Sequence, residues 1–214
     1  MRGTDHKGYG VIRNFLVWLQ TEFGKGGGEV AQSWSEALLG SPNFWGLLEG
    51  THLLSLMLFA GTIFVVDLRL LGVAFRRTPV SALSERVLPL TVFGFAMVVV
   101  TGLALFFAKP LVYYHNIWFR AKLIFLFLAL VNIVVFHYRV QRNIAQWDTL
   151  AKPPASARAS AAISLTAWLC VITLGRFIAY DWYECGKAIP HWINVAEDCA
   201  ASEFGATDLK EVVE

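Results

Sequence analysis

Charged side chains are scarce in this chain of 214 residues, because Asp, Glu, Lys and Arg together make up only 16% of it. Soluble domains contain about a quarter, so the deficit argues against a soluble enzyme. The 18 basic and 16 acidic residues leave a formal net charge of +2. This balance cannot provide the continuous basic face that nucleic acid requires, and no nucleic-acid partner is expected.

Soft sulfur ligands and catalytic motifs are also lacking. Only three Met and three Cys occur in the chain, which gives little support to a sulfur-lined path for Cu(I). The chain has no CxxCH motif for covalent haem and no signature of nucleophilic or phosphate-transfer catalysis. A non-catalytic or accessory subunit is therefore expected rather than an enzyme.

Long uncharged runs dominate the sequence, in which 56% of the residues are hydrophobic. Runs of about 20 apolar residues cross a hydrocarbon core, and four occur here, at 44–66, 87–108, 117–137 and 161–180. We predict an all-α integral membrane four-helix bundle over residues 42–182. The flanking segments are outer-surface helices at 1–41 and an acidic periplasmic tail at 183–214.

The N-terminal segment is expected to contain an amphipathic interfacial helix. Six apolar side chains share one helical face, namely Val11, Ile12, Phe15, Trp18, Leu19 and Phe23. Such a helix lies flat on a membrane surface. A second short helix is predicted at about residues 29–39, just before the first span.

Basic residues set the expected orientation, because short cytoplasmic loops retain positive charge. Four basic residues lie in the first connection between spans and four in the third, but only Lys109 lies in the second. This pattern predicts a bacterial cytoplasmic (inner) membrane protein with both termini periplasmic. Cys185 and Cys199 then share an oxidising compartment and are candidates for a disulfide, although two unrelated free thiols fit the sequence equally well.

Ionisable side chains inside spans are costly and commonly mark function. Glu49 and His52 lie one helical turn apart in the first span. The predicted topology gathers six such groups in the outer half of the bundle: Glu49, His52, His115, Arg120, Lys122 and Arg176. The basic ones have a plain alternative, since long side chains reach headgroups. At the inner end of the first span, Asp67 and Arg69 are expected to form a structural ion pair.

Three cofactor classes suit this cluster. Haem b needs two facing ligands, and His52 has only His115, about 10 Å shallower at 1.5 Å per residue, as a partner. A quinone asks for one histidine or arginine, a carboxylate and aromatic walls, for which Trp45, Tyr113, Tyr114 and Trp118 are available. Copper or zinc suits a metal site made of Glu49, His52 and His115.

Four stretches together carry a resemblance: Glu49-Gly-Thr-His52, Asp67-Leu-Arg-Leu-Leu-Gly72, Pro89 with Phe95 and Gly102, and Asn116-Ile-Trp-Phe119-Arg-Ala-Lys122. In their order and spacing, over roughly residues 30–182, the chain resembles an uncharacterised family of four-helix bacterial inner-membrane proteins with a domain of unknown function. That family is loosely similar to copper-resistance-D-type membrane proteins. The resemblance implies no reaction, and it places the family's polar positions on Glu49, His52, Asp67, Arg69, Asn116 and Lys122.

The leading hypothesis is an integral subunit of a respiratory or electron-transfer assembly, with an outer-leaflet haem b or quinone site around Glu49, His52 and Arg176. The expected partners are the lipid bilayer and other membrane or periplasmic subunits. Two basic and eight acidic residues after position 180 give the tail a net charge of −6, which suits a basic partner. The alternatives are a copper-handling membrane protein that uses the same side chains and a purely structural anchor.

Overall fold

A computed structural model of the chain describes residues 9–25, 32–180 and 191–197. Over these ranges the regular structure is helical, with no strand. Four helices are long and apolar enough to cross a membrane. The all-α four-span architecture predicted from the sequence is therefore confirmed, and the protein is a multi-pass membrane protein.

The described ranges contain eight α-helices: α1 Tyr9–Thr21, α2 Trp34–Leu39, α3 Pro42–Leu70, α4 Val80–Ala108, α5 Pro110–His115, α6 Ile117–Val135, α7 Ala155–Tyr180 and α8 His191–Glu197. Helix α6 continues into a π-helical turn, Phe136–Val140, and then into a 3-10 helix, Gln141–Gln146. The four spans are α3, α4, α6 with this extension, and α7.

Proline marks two of the predicted boundaries. Helix α3 begins at Pro42, where a missing N–H costs no hydrogen bond because the first helical amides have no partner inside the helix. Helix α4 ends at Ala108, and α5 starts at Pro110 after an irregular Lys109. Both boundaries are confirmed.

Other helix starts differ from the sequence prediction. Helices α4 and α7 begin several residues before the apolar runs, at Val80 and Ala155. Hydropathy delimits the part of a helix that lies in lipid, whereas serine, glutamate and arginine continue the same helix beyond it. Helix α2 starts at Trp34 because Ser33 and Glu36 form a reciprocal capping box.

The chain forms two compact units, which we describe separately. The first unit comprises Met1–His52, Val99–Asn116 and Tyr183–Glu214. The second unit comprises Leu53–Val98 and Ile117–Trp182.

In the first unit, α1 packs against α5 and α2. Helix α1 buries Leu16 and Leu19, but five members of its predicted apolar stripe remain exposed: Val11, Ile12, Phe15, Trp18 and Phe23. Helix α2 is tied to the end of α4 by the Ser35 hydroxyl, which donates to the Ala108 carbonyl at 2.5 Å. The amphipathic helix predicted from the sequence is therefore present, with most of its apolar face uncovered in the described part of the chain.

In the second unit, Phe59 of α3 is the centre of one buried cluster. Its ring meets the Trp168 ring edge to face, with centroids 4.8 Å apart. A methyl group added at Gly94 would lie 3.0 Å from the Phe59 backbone nitrogen, so α3 and α4 approach closely at this level. Helices α6 and α7 are joined by Asn132 and Ser160, whose side chains hydrogen-bond at 2.9 Å.

Candidate functional site

His52 is the best-defined polar side chain of the first unit. It is half-buried in α3, and its Nδ1 lies 2.9 Å from the hydroxyl of Thr101, a buried residue of α4. A methyl group added at Gly102 would lie only 3.2 Å from His52 Cε1. Glycine therefore lets the ring approach α4, and the threonine hydroxyl orients it, which fixes how the imidazole is presented.

Glu49 and Tyr113 also belong to the first unit, and they interact with each other. Glu49 is exposed one turn before His52, and Tyr113 is half-buried in α5. Burial, and then the negative charge of Glu49, raise the pKa of Tyr113 to about 12. The phenol therefore keeps its proton at neutral pH, and its ring stacks on Phe106 with centroids 6.3 Å apart.

Two further pairs of side chains belong to the first unit. The Lys109 ammonium lies 5.0 Å from the centre of the Trp45 ring, a cation–π geometry. His115, at the end of α5, is half-buried and meets Tyr114 edge to face at 5.2 Å. Of the aromatic residues predicted to line a site, Trp45, Tyr113 and Tyr114 are thus in the same unit as His52.

The three basic candidates on α6 and α7 belong to the second unit. Arg120 and Lys122 are half-buried, and the Lys122 ammonium lies 3.6 Å from where a Gly175 methyl group would be. Arg176 is exposed, and it donates to the Tyr180 hydroxyl at 2.7 Å while lying over the Tyr180 ring at 4.8 Å. Trp118, the fourth predicted aromatic wall, packs on Phe177 in the same unit. The six candidates therefore divide equally between the two units.

The predicted metal ligands do not form a dense cluster. Within the described ranges, no three His, Cys, Asp or Glu side chains lie close enough together to hold a metal ion. The site of Glu49, His52 and His115 stays a prediction. Cys185 and Cys199 lie outside the described residues, whereas Cys170, in α7, is a free thiol.

Arg69 does not form the predicted ion pair with Asp67, and that expectation was wrong. Its fully buried guanidinium donates instead to the backbone carbonyls of Thr78 at 2.6 Å, Leu150 at 3.0 Å and Asp148 at 3.3 Å. Residues two apart on a helix do not face each other, so Asp67 and Arg69 project in different directions.

Asp148 is the carboxylate that balances the Arg69 charge. Desolvation alone would raise the pKa of Asp148, but hydrogen bonds from Ser81 and Val80 and the charge of Arg69 outweigh it, and the pKa is lowered. The Ser81 amide and hydroxyl donate to the carboxylate at 2.8 and 2.5 Å. This group therefore stays ionised at neutral pH and joins the start of α4 to the connection before α7.

Sequence reasoning did not single out Thr101 and Asp148. Each forms its contacts with residues far away in sequence. Those contacts depend on which helix turns face each other, and this is known only from the structure. The one available signal was Gly102, which already stood in the family motif beside Thr101.

Comparisons with known proteins add a family and no activity. No curated protein and no solved structure shows significant similarity to the chain. The sequence profile of a family of unknown function matches residues 43–181, which include all six candidate residues and nearly all of the four spans. The chain therefore belongs to this family of unknown function, DUF6644.

Proposed function

We propose that this protein is an integral inner-membrane subunit of a respiratory or electron-transfer assembly. We propose that it binds a quinone near the membrane surface at which α3 begins. His52 carries the proposal, because a histidine in a span, held by a buried threonine and set against a glycine, is built to present its ring in one orientation. Ionisable groups at such positions mark function more often than structure.

The neighbours of His52 suit a quinone carbonyl. An imidazole hydrogen-bonds such an oxygen, and a carboxylate one turn away, Glu49, exchanges protons with it. Tyr113, whose pKa of about 12 keeps it protonated, is a second donor in the same unit. A bound quinone would supply the two-electron, two-proton chemistry, and these side chains would bind and orient it.

Haem b fits the same residues less well. Helix α4 extends seven residues beyond Thr101, to Ala108, and His115 comes only after a further turn of chain. Seven residues correspond to about 10 Å of helix rise. A pair of axial histidines must face each other across one iron, whereas a quinone needs only one histidine, and a threonine and a glycine of α4 hold His52 in place.

The proposed orientation places the quinone site in the outer leaflet. Short connections rich in Lys and Arg remain cytoplasmic, and this puts both termini, and with them the start of α3, in the periplasm. The net charge of −6 after position 180 then faces the periplasm and suits a basic periplasmic or membrane subunit as partner.

The test is the content of quinone, haem and metal per folded molecule, in the purified wild type, His52→Ala and His137→Ala. His137 is the matched control, because it is an exposed histidine in the π-helical turn after α6, which belongs to the second unit. We expect quinone in the wild type and in His137→Ala, and its loss in His52→Ala with the protein still inserted.

Three outcomes would contradict the proposal. A Soret band that disappears in His52→Ala would show that the bound group is haem and not a quinone. Stoichiometric copper that disappears in His52→Ala would show that it is a metal. Equal content in wild type and His52→Ala, including none in either, would leave His52 a structural residue.

A further inference from the structure

Asp67 is a buried carboxyl group in the last turn of α3, directly after the apolar run 44–66. It is 5% exposed, and no hydrogen-bond partner for its Oδ2 atom exists among the described residues. The side chain that approaches the carboxyl group as a hydrogen-bond partner is Ser164 of α7. An ionised carboxylate in this position would be a desolvated charge with one oxygen unpaired, which is far more costly than a neutral group.

The nearest cation does not neutralise Asp67. Arg69 is fully buried two residues later, but its guanidinium is committed to three loop carbonyls and its charge acts on Asp148. The described residues contain no ion pair between Asp67 and Arg69. Asp67 therefore has no counter-ion on its own helix.

The elements packed around this end of α3 supply no counter-ion either. They are the start of α4, the π-helical and 3-10 turns after α6, and the start of α7. Their charged and titratable side chains other than Asp148 are exposed: Glu85, Arg86, His137, Tyr138, Arg139, Arg142 and Arg158. Lys122 lies ten residues before Asn132 on α6, about 15 Å along the helix. Among the described residues, the side chain that reaches Asp67 is thus that of Ser164, through its hydroxyl group.

We infer that Asp67 is a buried proton-binding site at the inner end of the first span, protonated at neutral pH and able to exchange its proton. A proton removes the charge that no neighbour compensates, and buried carboxyl groups without a partner are neutralised in this way. This site is independent of the quinone proposal, because it lies in the second unit and shares no residue with the first.

A short polar path adjoins the carboxyl group. Ser160 lies one turn before Ser164 on α7, and both are buried. The Ser160 hydroxyl donates to the Asn132 side-chain oxygen at 2.9 Å, and the Asn132 amide donates to the Ser160 carbonyl at 3.0 Å. Hydroxyl groups both donate and accept hydrogen bonds, so Ser164 and Ser160 continue the site along α7.

Infrared spectroscopy of the full chain in lipid vesicles tests this inference, because a protonated carboxyl group has a C=O stretch distinct from that of a carboxylate. We expect such a band in the wild type at neutral pH, its absence in Asp67→Asn, and its reversible loss as the pH is raised. Asp148→Asn is the matched control and keeps the band, since the Asp148 carboxylate is already ionised at neutral pH. Ser164→Ala retains the Asp67 carboxyl group and should shift the frequency of its band. This variant provides the test if Asp67→Asn does not fold.

Three results would overturn the inference. Identical spectra for wild type and Asp67→Asn at neutral pH would mean that Asp67 is ionised. A band that persists unchanged to the highest pH at which the protein stays folded would mean that the proton does not exchange. Loss of the band when sodium replaces choline at constant pH would make Asp67 a cation site.

Discussion

Arg69 is the most completely buried charged side chain among the described residues, and its three acceptors explain how a charge is tolerated there. Thr78 belongs to the connection after α3, whereas Asp148 and Leu150 belong to the connection before α7. One guanidinium therefore ties two connections together. Only arginine presents several donors in a fixed planar fork, and lysine has a single flexible ammonium group.

We predict that Arg69→Lys lowers the free energy of unfolding in detergent by about 2–3 kcal/mol, the usual cost when a charged hydrogen-bond donor leaves buried acceptors unpaired. Arg77→Lys is the control, because Arg77 is an exposed residue of the same connection and its change should have no measurable effect. Equal stability of Arg69→Lys and the wild type would refute the role of Arg69.

The Tyr113 hydroxyl provides a test of pH dependence in the first unit. Because the negative charge of Glu49 contributes to the raised pKa of Tyr113, about 12, Glu49→Gln should lower that pKa toward the ordinary value. Carbon-13 NMR of labelled tyrosine, assigned with Tyr113→Phe, follows the titration. Glu85→Gln removes an exposed carboxylate from the second unit and should leave the Tyr113 titration unchanged. An unchanged Tyr113 titration in Glu49→Gln would show that the charge of Glu49 does not act on Tyr113.

The close approach of α3 and α4 in the second unit depends on one glycine. A methyl group at Gly94 would lie 3.0–3.2 Å from the backbone and Cβ of Phe59, which is itself packed against Trp168. We predict that Gly94→Ala lowers the free energy of unfolding by about 1–3 kcal/mol, since an overfilled contact forces the two backbones apart.

Gly61→Ala is the matched control for this helix contact. Nothing lies within 4 Å of a methyl group added at Gly61, so the substitution only improves helix propensity and should be neutral or slightly stabilising. Thermal unfolding of both variants in one detergent compares them. Equal unfolding temperatures would show that Gly94 is not needed for the close approach of α3 and α4.

The spans could be predicted from the sequence because their signal is local. A run of about 20 apolar residues is sufficient, and Pro42 and Pro110 mark helix starts through their own covalent geometry. Pairings between helices are not local, and they were missed or wrong. Small residues four apart commonly seat another helix, yet no atom of the described chain lies within 4 Å of a methyl group at Gly46 or Gly50. The close contacts are at Gly94 and Gly102 instead.

The candidate site was predicted only in part, because part of its signal is local in sequence and part depends on contacts between helices. Two ionisable groups inside an apolar run identify Glu49 and His52 from the sequence alone. The Thr101 hydroxyl depends on which turn of α4 faces His52, a register that composition does not encode. The Asp67–Arg69 pair failed because it was inferred from proximity in sequence rather than from helical geometry.

At the scale of the whole molecule, the distribution of charge over the connections predicts a periplasmic C-terminus. A reporter that is active only in the cytoplasm, fused after Glu214, should therefore give no signal.

Alkylation before and after reduction should show Cys185 and Cys199 joined in a disulfide and Cys170 reduced. Strong reporter activity would reverse the topology, and free Cys185 and Cys199 would remove the disulfide.

The most direct test of the proposed function is photolabelling of the full chain in lipid vesicles with an azido-quinone, followed by peptide mapping. The account predicts a label that excess unmodified quinone displaces, that falls within Met1–His52 or Val99–Asn116, and that is lost in His52→Ala while the protein remains inserted. A label spread over all four spans without displacement, or one unchanged in His52→Ala, would contradict it.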